Sequence, residues 1–263
     1  MKTIDTSIQI HEERDYLVVK ANEIIQKCKY ELGITEQKTF CYIVSKIKPT
    51  DTKDTEYTFN INDYCKVCGI NKNDGRTTAN VKEVLQGLRN KSFWLTEENG
   101  DEVLIGWLAK ARVSPKSGKV KVKLDEDMSK YLIGLLDRGQ YTQYSFLYVL
   151  PMRSAYSIRL YELLKSYANL SKHKTFKIDD LKQKLMAPYI NFKDFRARVL
   201  EKATEEINLY TDLEVSWEPI YKGRKVVEVS FTIKHRSTLE CVVQNRKDNA
   251  ILDGQMSIED FIK

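Results

Sequence analysis

Residues 57–69, YTFNINDYCKVCG, and residues 174–186, KTFKIDDLKQKLM, share one outline. Thr58-Phe59 recurs as Thr175-Phe176, 117 residues later, and each copy is a short extended TF-x-I segment running into a small helix that begins with Asp. A longer amphipathic helix follows each copy, and then two alternating strands joined by a basic turn. A self-similar unit of about 100 residues defines the architecture before any local assignment is made.

In the first copy, residues 16–31 (YLVVKANEIIQKCKYE) carry Leu17, Ile24 and Ile25 at positions expected of a helix. A second helix is expected from a Thr35 cap through FCYIVSKI to the breaker Pro49. Lys38 there occupies the place where a capping box wants an acid. Residues 50–55 read as a charged loop and 56–61 as a strand; Asn62 or Asp63 is expected to cap the small helix, which stops at Gly69. A helix from Arg76 to Asn90 places Val81, Val84, Leu85 and Leu88 on one face. Arg76, Ala79, Glu83, Gln86 and Asn90 lie opposite, with Lys82 on the flank. Residues 102–113 and 118–124 alternate as two strands around Ser114-Pro-Lys-Ser-Gly118. Val120, Val122 and Leu124 face one way, and Lys119, Lys121 and Lys123 the other.

A short helix at 125–136 and a turn at 137–139 lead to the second copy, with the boundary expected near 137–142. Helices are read at 143–150 and 153–169, broken at Pro151, with Leu160, Leu163, Leu164 and Tyr167 supplying core. The long helix, 191–208, buries Phe192, Phe195, Val199, Ala203 and Ile207, and strands at 213–221 and 225–234 flank Lys222-Gly-Arg-Lys225. The expected organisation is a flexible N-terminus (1–15), domains at 16–138 and 139–236, and a tail (237–263). Helix, helix, helix and ribbon, read twice, is an α+β chain of two tandem winged-helix domains related by internal duplication.

The bulk numbers agree. With 263 residues, 42% of them hydrophobic and 10% aromatic, the chain can bury two ordinary cores, and no stretch has the apolar length of a membrane span. The N-terminus carries no signal-like apolar block, and five cysteines are an odd number, so a cytoplasmic protein with reduced thiols is expected. The net charge of +6 is modest, but its placement is uneven: Lys110 to Lys123 holds six basic residues and no acid. Local basic stripes on a mildly basic chain suit a nucleic-acid surface, although solvated lysines account for them equally well.

A winged helix lays its third helix in the major groove and its ribbon along the backbone. In the second copy Lys193, Arg196, Arg198 and Lys202 cluster early in that helix, while Glu201, Glu205 and Glu206 accumulate later. That order opposes the helix dipole unless a negative partner such as phosphate is present. The turn Lys222, Arg224 and Lys225 adds charge. The first copy contributes Arg76 and Lys82 on its helix, Lys72 in the preceding loop, and Lys116, Lys119 and Lys121 on the ribbon. The first half is therefore expected to grip backbone and the second to read sequence.

The runs YSIRLYELLKSY (156–167), TFKIDDLKQKL, FKDFRARVLEKATEEIN, VVKANEIIQ, TEQKTFCYIVSKIKP, RVSPKSGKVKVKL and YKGRKVVEVSF resemble the initiator proteins of iteron-controlled theta-replicating plasmids, over about residues 16–235. The resemblance implies two winged-helix domains on opposite faces of a repeated origin site, and a monomer that activates replication. It also implies a homodimer formed through the first domain that represses the initiator's own gene, opening of an AT-rich segment, and recruitment of host initiator and helicase. It places the reading helix on Lys193, Arg196 and Arg198 and the second wing on Lys222, Arg224 and Lys225. One departure is Leu185-Met-Ala-Pro-Tyr189, which has no glycine between the small helix and the reading helix.

Enzymatic chemistry finds no support. His11, His173 and His235 form no His-x-His metal pair beside a tyrosine, and Ser117-Gly-Lys-Val is a wing turn and not a phosphate loop. Cys65-x-x-Cys68 has no companion ligand pair, so ordinary packing outweighs zinc; no metal or cofactor is expected. In the tail, GQMSIEDF spaces Gln255, Ile258 and Phe261 like peptides that dock on sliding clamps, though chance produces so short a pattern and an amphipathic tail without a partner is favoured. The runner-up to an initiator is a dimeric winged-helix transcriptional regulator. A third reading, a winged-helix scaffold for protein contacts, is disfavoured by the basic wings.

Overall fold

The computed structural model describes residues 17–68, 76–97, 99–135 and 139–236. Lys72, Gly69 and the tail residues Gln255, Ile258 and Phe261 lie outside the described residues. The chain packs as two compact units, Leu17–Phe146 with Gln183–Met186, and Leu147–Lys182 with Ala187 onward.

The first unit opens on β1 (Leu17–Ala21), followed by a helix at Asn22–Lys27. Within the segment read as one helix over 16–31, residues 17–27 are thus a strand and then one short helix. Its β-branched pair Val18-Val19 favours a strand, and the partner that decides the matter is distant: Leu17 faces Ser145 and Ala21 faces Tyr141. The same pairing corrects residues 143–145, which are strand and not helix. It also keeps this strand, β7 (Tyr141–Ser145), with the first unit, so the division falls after Phe146 rather than near 137–142.

The second helix, Ile34–Val44, is capped by Gly33 and not by Thr35: the Gly33 N–H donates to Glu36 Oε2 at 2.7 Å. A complete acid-side cap therefore exists two residues earlier than expected. β2 (Glu56–Asn60) runs directly into the small helix Ile61–Cys68. The capping oxygen there belongs to Asn60, which accepts from the Asn62 N–H at 2.7 Å, and not to Asn62 or Asp63. The third helix, Thr77–Asn90, buries Val81, Leu85 and Leu88 as its period requires, with Val84 at the margin.

The stretch 102–113 is two strands and not one. β3 (Ser92–Thr96) pairs with β4 (Glu102–Gly106), and β5 (Leu108–Ser114) pairs with β6 (Lys119–Leu124). Trp107 divides them. Its side chain is 0% exposed and meets the rings of Tyr30 and Phe40 edge-on, each at 4.6 Å. Burying so large a ring turns the chain between two sheets. The short helix expected at 125–136 covers only Glu126–Ser129, capped by Asp125.

In the second unit the helix Ala155–Ala168 buries Leu160, Leu163 and Leu164. β8 (His173–Lys177) then leads into the small helix Ile178–Lys184. The long helix runs from Phe192 to Tyr210, and β9 (Leu213–Lys222) and β10 (Lys225–His235) close the ribbon. The duplication is plain in the strand orders: β2-β6-β5 in one unit and β8-β10-β9 in the other. In both, the TF-x-I strand pairs with the last strand of the hairpin, and its phenylalanine faces a buried valine: Phe59 opposite Val120, Phe176 opposite Val229. The hairpins turn at Gly118 and Gly223, with φ of +62° and +64°, values that a Cβ disfavours.

Candidate nucleic-acid interface

The long helix is built in three parts: an α-turn at Phe192–Phe195, a π-turn at Arg196–Leu200, and an α-helix at Glu201–Tyr210. The π-turn inserts one extra residue, so Val199 and Leu200 are both buried and Arg196, Ala197 and Arg198 are exposed in a row. Phe195, Val199, Leu200, Ala203 and Ile207 anchor the inner side, and Phe192 is half-buried. Lys193, Arg196, Arg198 and Lys202 all lie on the solvent side.

The electrostatics of this helix differ from the expectation in one respect. Asn191 caps it, accepting from the Asp194 N–H at 2.8 Å, and Asp194 is an acid in the first turn. Lys193 alone opposes the dipole there, because Arg196 and Arg198 fall beyond that turn. Arg196 Nε lies 2.7 Å from Glu201 Oε1, and the Arg198 guanidinium sits 5.9 Å from the Tyr189 ring centre. Glu206 does not belong to the outer charge pattern: its carboxylate accepts from the Arg153 N–H at 2.8 Å, ahead of the helix Ala155–Ala168.

The ribbon of the first unit presents an ordered basic face. Strand register aligns Lys110, Lys123 and Glu56 in one row, Arg112, Lys121 and Thr58 in the next, and Ser114, Lys119 and Asn60 in the third. Lys123 is paired with Asp54 at 2.7 Å, and Lys110 lies 3.9 Å from Glu56. Arg112, Lys119 and Lys121 have no ion-pair partner among the described residues, and Lys116 is exposed on the turn. Arg112 is the member the sequence reading missed. Its signal was the register: the residue opposite Lys121 must share its face. Arg76 and Lys82 are exposed at the start of the third helix.

The second ribbon is different. Lys222, Arg224 and Lys225 are exposed at its tip, but the outer sheet face mixes Glu214, Glu218 and Glu228 with Lys177 and Lys234, and Lys234 pairs with Glu214 at 3.3 Å. That face is therefore of mixed charge, whereas the corresponding face of the first copy is mostly basic.

Cys65 and Cys68 are both buried, and burial pushes the Cys68 thiol up from its ordinary value, which keeps it protonated and a poor ligand. Among the described residues no three His, Cys, Asp or Glu side chains gather as a metal site, and no helix is long and apolar enough to cross a membrane.

A duplicated helix–helix–helix–ribbon with cations on one long helix and one ribbon defines a protein of the tandem winged-helix, DNA-binding class. Residues 17–165 match the family described as "Initiator Replication protein, WH1", and residues 177–233 match "Initiator Rep protein, WH2". The chain belongs to the initiator replication protein family, and it is a DNA-binding replication initiator. Among solved structures, that of the Pi initiator protein in complex with iteron DNA is similar, with a TM-score of 0.69 and 19% identity over 85% of this chain and 99% of the other. At that identity the likeness speaks for the fold. Domains 2 and 3 of RctB match with a TM-score of 0.44 and 16% identity, over 78% of this chain and 81% of the other. The WH1 domain of MSBI1.176, a replication protein isolated from a multiple sclerosis patient, matches with 0.29 and 15%, over 35% and 72%.

Proposed function

We propose that this chain initiates replication of a plasmid by binding directly repeated double-stranded sites, iterons, at its origin. The long helix of the second unit would read the major groove through Lys193, Arg196, Arg198 and Lys202, with Lys222, Arg224 and Lys225 on the flanking backbone. The first unit would hold backbone phosphates through Lys116, Lys119 and Lys121, joined by Arg112, with Arg76, Lys82 and Lys72 as lesser contacts. The observation that carries the reading is the contrast between the copies. One presents cations without ion-pair partners among the described residues on a sheet face, suited to phosphates, and the other presents its cations on a helix whose exposed side chains can reach base edges. Membership of the initiator family supplies the biological setting. By the family's habit, the bound protein opens an adjacent AT-rich tract, recruits host initiator and helicase, and represses its own gene as a homodimer through the first domain. A contact of the tail with a sliding clamp through Gln255, Ile258 and Phe261 is a separate proposal, tested by deleting 250–263.

Footprinting on the DNA upstream of the protein's own gene tests the central claim. Protection should fall on short direct repeats of about two helical turns. Arg198→Ala should abolish sequence preference at one or two base pairs, whereas Lys119→Ala should weaken binding to all duplexes alike. Protection scattered without repeats, or an Arg198→Ala protein that binds as the parent does, would remove the reading helix from the proposal.

A further inference from the structure

In a regular α-helix, a residue five positions after Arg196 would point about 140° away around the axis. The π-turn closes that angle. The Glu201 N–H donates to the Arg196 carbonyl oxygen, and Arg196 Nε donates to Glu201 Oε1 at 2.7 Å. The two side chains stay 57% and 46% exposed, so the ion pair itself contributes little to stability. Its consequence is geometric. The carboxylate holds the guanidinium by the one nitrogen nearest the stem, and the two terminal nitrogens have no hydrogen-bond partner among the described residues. That leaves open the planar fork that matches O6 and N7 of a guanine. Arg198, by contrast, is drawn toward Tyr189.

We infer that Glu201 is a positioning residue: by accepting from Nε it holds Arg196 so that its terminal nitrogens meet one guanine of the bound site. The inference rests on the reading that the long helix enters the groove. It adds that an acid five positions on, which no α-helical spacing would bring near Arg196, sets base preference at one position of the repeat.

The test is binding of the full-length chain, at fixed salt, to its own repeat and to a set of duplexes each changed at one base pair. Arg196→Ala should lose preference at one G·C pair. Glu201→Ala should melt as the parent does, lose about tenfold of the discrimination at that same pair, and bind unrelated duplex at least as well. Glu201→Gln, which keeps an acceptor for Nε, should retain most of the discrimination. If Arg196→Ala loses the preference while Glu201→Ala keeps it in full, Glu201 has no positioning role although the reading helix stands. If Arg196→Ala binds every duplex as the parent does, the reading helix falls and this inference with it.

Discussion

Met186 holds a φ of +49°, the left-handed conformation that glycine adopts most cheaply, at the end of the small helix of the second copy. The Ala187 N–H donates to the Lys182 carbonyl at 2.8 Å and the Met186 N–H to Gln183 at 3.0 Å, the bond pair of a Schellman ending, with Pro188 just beyond. At an offset of 117 residues Met186 stands where the first copy has Gly69. The second copy therefore makes a glycine-type helix ending without a glycine, which adds strain. Met186→Gly should stabilise the protein by about 1 kcal/mol, read as a higher urea midpoint at unchanged slope. A second residue carries more. Asp212, largely buried, accepts from the Tyr161 hydroxyl at 2.8 Å and pairs with Lys165, both on the helix Ala155–Ala168. Asp212→Ala leaves the lysine and the phenol without their acceptor, and unfolding by urea should show a loss of about 3 kcal/mol.

At the scale of elements, β6 shows how a central strand can serve two surfaces. Val120, Val122 and Leu124 fill the core, while Lys119 and Lys121 stand outward between β2 and β5. Because Arg112 and Lys121 are exposed and have no ion-pair partner among the described residues, Arg112→Ala and Lys121→Ala should leave stability within about 0.5 kcal/mol of the parent. In DNA binding each should lower the slope of log affinity against log salt by about 0.9, uniformly across sequences. A change confined to one duplex sequence would contradict a backbone role for this face. The long helix argues the reverse case. Its apolar spacing was legible, but the π-turn was not, because an extra residue in a helix looks like ordinary scatter until the inner side chains are seen to pack. The Arg196–Glu201 pair depends on that turn and escaped notice for the same reason.

At the scale of the molecule, alkaline pH should unfold the chain earlier than neutral pH does. Burial pushes the Tyr131 phenol up to about 12, assisted by Glu23 and Glu97, and it pushes Tyr57, Tyr64 and Tyr161 further still. An unfolded tyrosine ionises near pH 10. Below that pH both states hold their protons and nothing changes. Above it the unfolded chain releases protons that the folded chain keeps, so stability falls as pH rises through the folded values. Urea midpoints should be flat up to about pH 9 and then decline; a midpoint unmoved at about pH 11 would contradict the burial of these phenols.

The sequence alone determined the duplication, the small and long helices, the TF-x-I strands and the candidate cations, because hydrophobic period and turn residues are local and repeated themselves 117 residues apart. It did not determine that Leu17–Ala21 is a strand, since its partner Tyr141–Ser145 lies more than 100 residues away and only the pairing selects strand over helix. Nor did it divide 102–113 at Trp107, a break imposed by ring packing against Tyr30 and Phe40. The faces of the two sheets were also tertiary decisions. Register alone places Arg112 beside Lys121 in one copy and Glu218 and Glu228 on the outer face of the other. Backbone pairing between distant segments carries no local signature, so only the folded chain could assign the basic face to one ribbon and the mixed one to its counterpart.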